Sequence, residues 1–493
     1  MKKTFNIFSL ALVFVTALFM QGCSDNDSVT ASHLDIFRGE DSTAISQLDF
    51  NIGSAFAMIS VDCDADWTAS CDADWCTLSN HAGYGYANKR SFVKLSVSKN
   101  TGDARTATVT FSSGSTTRTL TVTQRGAGAD PGDTFQTAFE FVESLTFGYN
   151  LYNTLESHHD LAASSSWWHP TSDLDWETAW GQPVTTQEEI DSIVAGGVNV
   201  IRVPVTWFPH MDEDGNVKEI WMNRVEEVVD YVLSTGSYCI LNVHHDASER
   251  GSRTDGAGWL RADMDEYAET SVKFKKLWTQ IANRFKSRDE HLLFEAFNEI
   301  LDKNDNWQDP TDESAYTAIT KLEQDFVDAV RATGGNNEFR NLVVNTYSAG
   351  SSQAKLDGFQ APTDVHSNHI LASIHTYDPY SFCNPNDEWN IYIWDSSCEA
   401  EIDALTLRVN TRMNDLGLPY IYSEFGALDP DKELSDRIKY ARYIMGKFQG
   451  YGTTGIWWDS DDSSKSWDGL FNRKTNKWNE TEILDIFVNA SAK

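Results

Sequence analysis

From about residue 34 to residue 125, apolar and polar positions alternate with a period of two. Val93, Leu95 and Val97 interleave with Lys94, Ser96 and Ser98, and Ala107, Val109 and Phe111 with Thr108 and Thr110. Leu120 and Val122 sit among Thr119, Thr121 and Thr123. Successive side chains of a strand point to opposite faces, so this pattern predicts half-buried β-strands. Two of the runs flank Ser112-Ser113-Gly114-Ser115, a hairpin signal. Short strands with no helical period predict a small all-β sandwich over 34–125. Trp67 and Trp75 read as core residues of it in preference to a stacking platform.

Residues 126–133, Gly-Ala-Gly-Ala-Asp-Pro-Gly-Asp, read as a linker. From 134 to 493 the pattern changes to short apolar runs alternating with amphipathic helical stretches. The runs at 146–150, 199–205, 238–244, 292–298, 341–346, 370–375, 420–424 and 455–458 read as strands. One helix opens with Thr186 and Glu189 in capping-box spacing. Others fall near 224–233, 267–285, 316–332, 402–416 and 434–448, and the helix expected around 348–362 is weak. Strand-helix units repeated eight times predict an α/β fold, a (β/α)8 barrel behind the sandwich.

The N-terminus reads as a targeting segment. Lys2 and Lys3 precede an apolar run from Phe5 to Met20, short of the roughly 20 residues that span a bilayer. Met20-Gln21-Gly22-Cys23 resembles the lipobox of bacterial lipoproteins. The resemblance implies a signal peptide over 1–22, lipidation of Cys23 and a flexible tether over 23–33. The acidic stretch Ser24-Asp25-Asn26-Asp27-Ser28 is similar to the surface-export tether of Bacteroidetes lipoproteins, which implies a lipid anchor in the outer membrane, at the cell surface. An ordinary secretory signal with an incidental cysteine is the alternative.

Beyond Cys23, cysteines stand at 63, 71, 76, 239, 383 and 398, too few for a disulfide framework. Cys239 lies in an apolar run and reads as a buried residue. Cys383 and Cys398 flank one predicted loop and are candidates for a disulfide. None has the spacing of a zinc site, and no metal is expected.

Net charge is −34, which opposes both phosphate backbones and anionic lipid, so nucleic-acid binding is excluded as a function class. The chain carries 17 Trp, 17 Tyr and 26 Phe, which leaves neutral, hydroxyl-rich ligands that stack on rings. Trp167, Trp168, Trp307, Trp389 and Trp394 fall in predicted loops over the barrel mouth, where two or three are expected to be sugar platforms.

In such barrels the chemistry gathers at the C-terminal ends of the strands. Polar residues interrupt the apolar runs there: Arg202, His244-His245-Asp246, Asn298-Glu299, His375-Thr376-Tyr377, Glu424 and Trp457-Trp458. Glu299 and Glu424, from the fourth and seventh strands, face one mouth and supply the paired carboxylates of glycoside hydrolysis. One must hold a proton for the leaving oxygen while the other is ionised to attack. His245 points opposite to His244 on a regular strand, so it divides between the site and packing.

These motifs resemble glycoside hydrolase family 5 over about 145–490. The segment from Phe147 to Glu156 is similar to its first-strand motif. Glu177 to Pro183 followed by Arg202-Val203-Pro204-Val205-Thr206-Trp207, together with His375 to Tyr380, resembles its subfamily 4 of endoglucanases, mixed-linkage glucanases and xyloglucanases. The resemblance implies a retaining endo-β-1,4-glucanase with Glu299 as acid/base and Glu424 as nucleophile. Asn150, Arg202, His244, His245, Asn298, His375, Tyr377 and Trp458 would then be the substrate-binding set. Within it Asn298 would meet the sugar 2-hydroxyl, Arg202 and Tyr377 would steady the nucleophile, and Trp458 would floor a subsite. No cofactor is implied, and a monomer is expected. Ile300 departs from the family, in which proline commonly follows the Asn-Glu pair. Segments such as Asp66-Trp67, Asp74-Trp75 and 100–107 resemble the BACON module, an immunoglobulin-like domain found ahead of glycan-degrading enzymes, here read as a spacer. Two other classes stay open: an inactive glycan-binding lipoprotein, and a metal-dependent barrel hydrolase using His244, His245, Asp246 and His375.

Overall fold

The computed structural model describes residues 33–38, 43–50, 55–85, 90–98, 100–126, 135–161, 168–251, 255–366, 368–384, 391, 393–427, 431–459 and 469–490. The expected signal peptide, Cys23, nearly all of the tether, linker residues 127–133, Trp167 and Trp389 lie outside the described residues.

Among the described residues, the alternating segment forms nine strands: β1 (Leu34–Arg38), β2 (Gln47–Phe50), β3 (Ala55–Cys63), β4 (Trp67–Cys71), β5 (Cys76–Leu78), β6 (Ala82–Gly83), β7 (Ser91–Val97), β8 (Arg105–Ser113) and β9 (Thr116–Gln124). They make two sheets, β1-β3-β7-β5 and β2-β9-β8-β4-β6. The expected hairpin is β8–β9, in antiparallel register from Arg105 opposite Gln124 to Ser113 opposite Thr116. Its turn uses Gly114 at φ 57°, a conformation glycine adopts without steric cost. Alternate residues such as Val93, Leu95, Val109, Phe111, Leu120 and Val122 fill the space between the sheets together with Trp67. Trp75 packs at the edge of that core under the Arg105 guanidinium, 4.4 Å from its ring.

All eight apolar runs of the second zone are parallel strands of one closed barrel. The chain enters through α1 (Ala138–Ser144), then β10 (Gly148–Asn150), α2 (Gln187–Ala195), β11 (Val200–Val203), α3 (Glu219–Ser234), β12 (Tyr238–Asn242), α4 (Tyr267–Phe285), β13 (Leu292–Glu295) and α5 (Ser314–Arg331). It continues through β14 (Leu342–Asn345), α6 (Gln353–Gly358), β15 (Ile370–Thr376), α7 (Tyr380–Cys383), α8 (Ser396–Leu416), β16 (Tyr420–Phe425), α9 (Leu434–Gly450) and β17 (Gly455–Trp457). The small hairpin β18 (Phe471–Asn472) and β19 (Lys477–Trp478) precedes the closing helix α10 (Thr481–Ala490). The helix that reads as weak is α6, only six residues long. At α2, Thr186 caps the Glu189 N–H at 3.2 Å, but the Glu189 carboxylate pairs with buried Arg473 instead of closing a capping box.

Helix α1 closes the barrel floor. Its Ala138, Phe141 and Val142 pack with Leu145 against inward residues from seven strands: Val200, Ile240, Leu293, Val343, Leu371, Ile421 and Ile456. The eighth strand, β10, presents Gly148 because a Cβ there would lie 2.7 Å from Ile456 and 2.8 Å from Val200. Filling one end leaves the strands' C-terminal ends as the only ones able to hold a polar cleft.

Cys383 and Cys398, the candidates for a disulfide, are both free, buried thiols. The Cys383 thiol donates to the Asp378 carbonyl at 3.4 Å, and both residues belong to the apolar cluster around Phe382 and Trp394. Each is buried as a small apolar group, so no covalent link is needed to hold α7 near α8.

Candidate active site

Most of the barrel strands aim polar side chains towards the mouth, with Arg202 at the centre. Its Nε donates to Glu295 at 2.6 Å, one Nη to Glu424 at 2.7 Å and Asn150 at 3.0 Å, and the other Nη to Asn298 at 2.9 Å. No part of Arg202 or Asn150 reaches the surface. The Asn150 amide donates to the Ser423, Ile456 and Trp457 carbonyls at 2.9, 3.2 and 3.3 Å. Both residues, expected among the substrate-binding groups, therefore lie behind Glu424 and position it without touching a sugar.

Glu424 points inward beside Ser423, although neighbours on a regular strand face opposite ways. The register of β16 slips against both neighbours here, between Ile374 and His375 on one side and between Tyr422 and Phe425 on the other. A bulge inserts an extra residue and re-aims a side chain, which is how one strand end presents both. One Glu424 oxygen accepts from Arg202; the other accepts from the Tyr377 hydroxyl at 2.8 Å. Burial, the largest influence, pushes the Glu424 carboxyl above the ordinary range, against the pull of the His375 and Arg202 charges. Arg202 is only partly available to it because Glu295 shares the guanidinium. Burial also opposes ionisation of Glu295, yet Arg202 holds it below the ordinary value.

Glu299 sits across the mouth, about a fifth exposed. Its Oε1 is 2.9 Å from His375 Nδ1, which lies 3.6 Å from the other side of the pair, Glu424 Oε2. Burial disfavours the imidazolium, but the Glu424 and Glu299 carboxylates carry the His375 pKa above that of an ordinary histidine. One oxygen each of Glu299 and Glu424 and one His375 nitrogen lie within 4.8 Å of one another. That closeness matches retaining glycosidases, whose carboxyl groups stand about 5–5.5 Å apart, and leaves no room for the water of an inverting enzyme.

The same trio is the one cluster among the described residues with three donor atoms near enough to share a cation. Glu424 within it is already held by Arg202 and Tyr377. A buried guanidinium beside it also opposes a second positive charge. The other metal reading fails on geometry. Asp246 is held by the Trp207 N–H at 2.7 Å and the Trp259 indole at 2.6 Å, and His244 Nδ1 by the Asn242 amide at 3.0 Å.

That Asn242 contact fixes a tautomer. The Asn242 Oδ1 accepts from the Val205 N–H, so its Nδ2 donates to His244 Nδ1 and the His244 proton resides on Nε2. Burial, then the neighbouring positive groups, keep His244 neutral, well below the usual histidine pKa. Its ring stacks on half-buried Trp458, centroids 5.6 Å apart and 8° from parallel. The Asn298 Oδ1 is taken by Arg202, so its amide is oriented with Nδ2 as the end left to donate.

His245 does not point opposite to His244. Strand β12 ends at Asn242, a short 3-10 turn starts at His245, and the ring packs between His158 and Trp180 at 4.9 and 5.4 Å. Trp394 is buried against Phe382 and Tyr440 and is no platform, whereas Trp307 leaves 41% of its surface open. Ile300 is buried, and its carbonyl accepts from the Ser348 N–H at 3.0 Å. Glu295, Asn242 and the contacting hydroxyls of Ser373 and Ser423 escape the sequence reading. Glu295 alone left a signal, an acid inside the apolar run 292–298.

A (β/α)8 barrel with two close carboxylates at its C-terminal mouth defines a retaining-type glycosidase. The chain belongs to glycosyl hydrolase family 5: the model described as cellulase of that family matches residues 163–464, and the BACON model, described as an N-terminal binding domain, matches 65–125. It is 33% identical to endoglucanase A of Ruminococcus albus over 71% of this chain and 92% of that one. It is 29% identical to a xyloglucan-specific endo-β-1,4-glucanase of Bacteroides ovatus over 94% of this chain and 93% of that one. The crystal structure of a family 5 enzyme from Prevotella bryantii B14 superposes with a TM-score of 0.64 at 37% identity, covering 72% of this chain and 99% of that one.

Proposed function

We propose that this chain is a retaining endo-β-1,4-glucanase acting on plant β-glucans, with xyloglucan among its substrates. The observation that carries the reading is the pair Glu299–Glu424, one about a fifth exposed and one buried against Arg202 and Tyr377. Glu424 attacks the anomeric carbon while Glu299 gives its proton to the leaving oxygen, so a carbon–oxygen bond forms as another breaks. Glu299 then takes a proton from water, whose oxygen displaces Glu424 with a second inversion. Trp458 and His244 floor the sugar being cleaved, and Asn298 Nδ2 donates to its 2-hydroxyl. The B. ovatus relative supports xyloglucan, because the match to it runs through the sandwich as well as the barrel.

The lipobox-like Cys23 supports anchoring in the outer membrane at the cell surface, and the self-contained barrel supports a monomer. Parallel digestion of xyloglucan, mixed-linkage glucan and carboxymethylcellulose tests the reading. Xyloglucan should give internal cleavage products of β configuration. Release of single sugars from chain ends, or α products, would overturn it.

A further inference from the structure

The hydrogen-bond chain behind Glu424 continues past Arg202. Glu295 Oε1 accepts from Asn345 Nδ2 at 3.0 Å and from the Ser373 hydroxyl at 3.1 Å. Asn345 ends β14, and its backbone N–H donates to Glu323 Oε1 on α5 at 2.8 Å. Glu323, Asn345 and Glu295 are all fully buried. Two atoms at the far end have no partner: Glu323 Oε2 and Asn345 Oδ1. Turning the Asn345 amide over does not help, since it would set Oδ1 against the Glu295 carboxylate.

An ionised Glu323 would be an isolated buried charge, the costliest state for a carboxyl. No described cation forms an ion pair with it, and the Asn345 N–H is the one group that favours its ionised form. A neutral carboxylic acid avoids that cost. Its Oε2–H is a donor, and the orphan acceptor belongs to the residue whose N–H already holds Oε1. Burial pushes the Glu323 pKa well above the ordinary range, opposed by the Asn345 N–H.

We propose that Glu323 is a positioning residue for hydrolysis: as a neutral acid it clamps Asn345, which fixes Glu295, which fixes the guanidinium that holds Glu424. The proposal rests on Glu424 being the nucleophile. Without the clamp, Glu295 loses a donor and draws Arg202 towards itself, so Glu424 becomes harder to ionise.

Glu323→Gln and Glu323→Leu separate the possibilities in the full-length enzyme. Glutamine offers an acceptor to the Asn345 N–H and a donor to its Oδ1, so kcat and the acid limb of the pH profile should match wild type. Leucine fills the space and offers neither. There kcat should fall on the order of 10- to 100-fold, the scale of a misplaced reacting group, with KM little changed and the acid limb moved to higher pH. At alkaline pH, wild type should also show the infrared carbonyl stretch of a protonated carboxyl that Glu323→Gln lacks. Glutamine falling as far as leucine, leucine matching wild type, or no such band would each overturn the proposal. If Glu323→Leu does not fold, glutamine's kcat and the band decide between them. Full activity in Glu424→Ala would sink the nucleophile assignment instead, and Glu323→Gln does not touch that result.

Discussion

Both oxygens of Glu424 have a donor, and the two donors differ in kind. Arg202 supplies a charge that Glu295 half neutralises, whereas Tyr377 supplies one neutral hydroxyl bond at 2.8 Å. Donation to the ionised form favours it, so removing the hydroxyl should raise a carboxyl pKa that burial already lifts. Tyr377→Phe should therefore move the acid limb of kcat/KM to higher pH, with the loss of rate greatest at low pH. A limb that stays in place would mean the hydroxyl does not serve the ionised nucleophile. The two glutamates separate under a different measurement. Glu424→Ala should abolish activity on every substrate, because no glycosyl-enzyme can form. Glu299→Ala loses proton transfer, worth about 10²–10⁴-fold. An aryl glycoside with an acidic phenol needs no such proton, so that variant should show a burst of phenol, and azide should restore turnover with a β-glycosyl azide as product. An α-azide product would mean the roles are misassigned.

At the scale of elements, the barrel was legible because its strands are buried on both faces and so read as unbroken apolar runs. All eight runs are strands of one closed sheet, and five of the helix expectations land within a few residues of α3, α4, α5, α8 and α9. What escaped was whatever departs from regular geometry or hides in the core. The slips flanking β16 bring Glu424 and Ser423 to one side, which strict alternation forbids. His245 takes the packing role of the two open to it, and it does not alternate with His244 because β12 stops at Asn242. Asn150 enters the substrate-binding set through the family resemblance alone, yet its amide is consumed by backbone carbonyls. Helix α1 lies just past the linker, where no periodic pattern marked it. Its seat is testable through Gly148, where an added Cβ would meet Ile456 and Val200 below 3 Å. Gly148→Ala should lower stability by about 1–3 kcal/mol, as overpacking does, while kcat of the folded enzyme stays near wild type. Urea unfolding measures the first; an unchanged midpoint would show that the floor can relax.

For the molecule as a whole, every group in the proposed reaction comes from residues 150–458, and the sandwich contributes none. The sandwich has its own core, closed between two sheets and separate from the barrel's. Its sequence position, between Cys23 and the barrel, makes it a spacer if that cysteine is acylated. Each acyl methylene buried in lipid is worth about 0.8 kcal/mol, so two or three chains hold a protein far more firmly than a single myristoyl group. Cys23→Ala should therefore leave the enzyme soluble or unprocessed on fractionation, with its turnover intact. Deleting residues 34–125 in the anchored protein should leave kcat/KM on a soluble oligosaccharide nearly unchanged, because the cleft keeps all its groups. Hydrolysis of polysaccharide outside the cell should fall, since the barrel is brought closer to the membrane. A tenfold loss on the soluble substrate, with circular dichroism showing the barrel folded, would mean that the sandwich shapes the cleft and is no spacer.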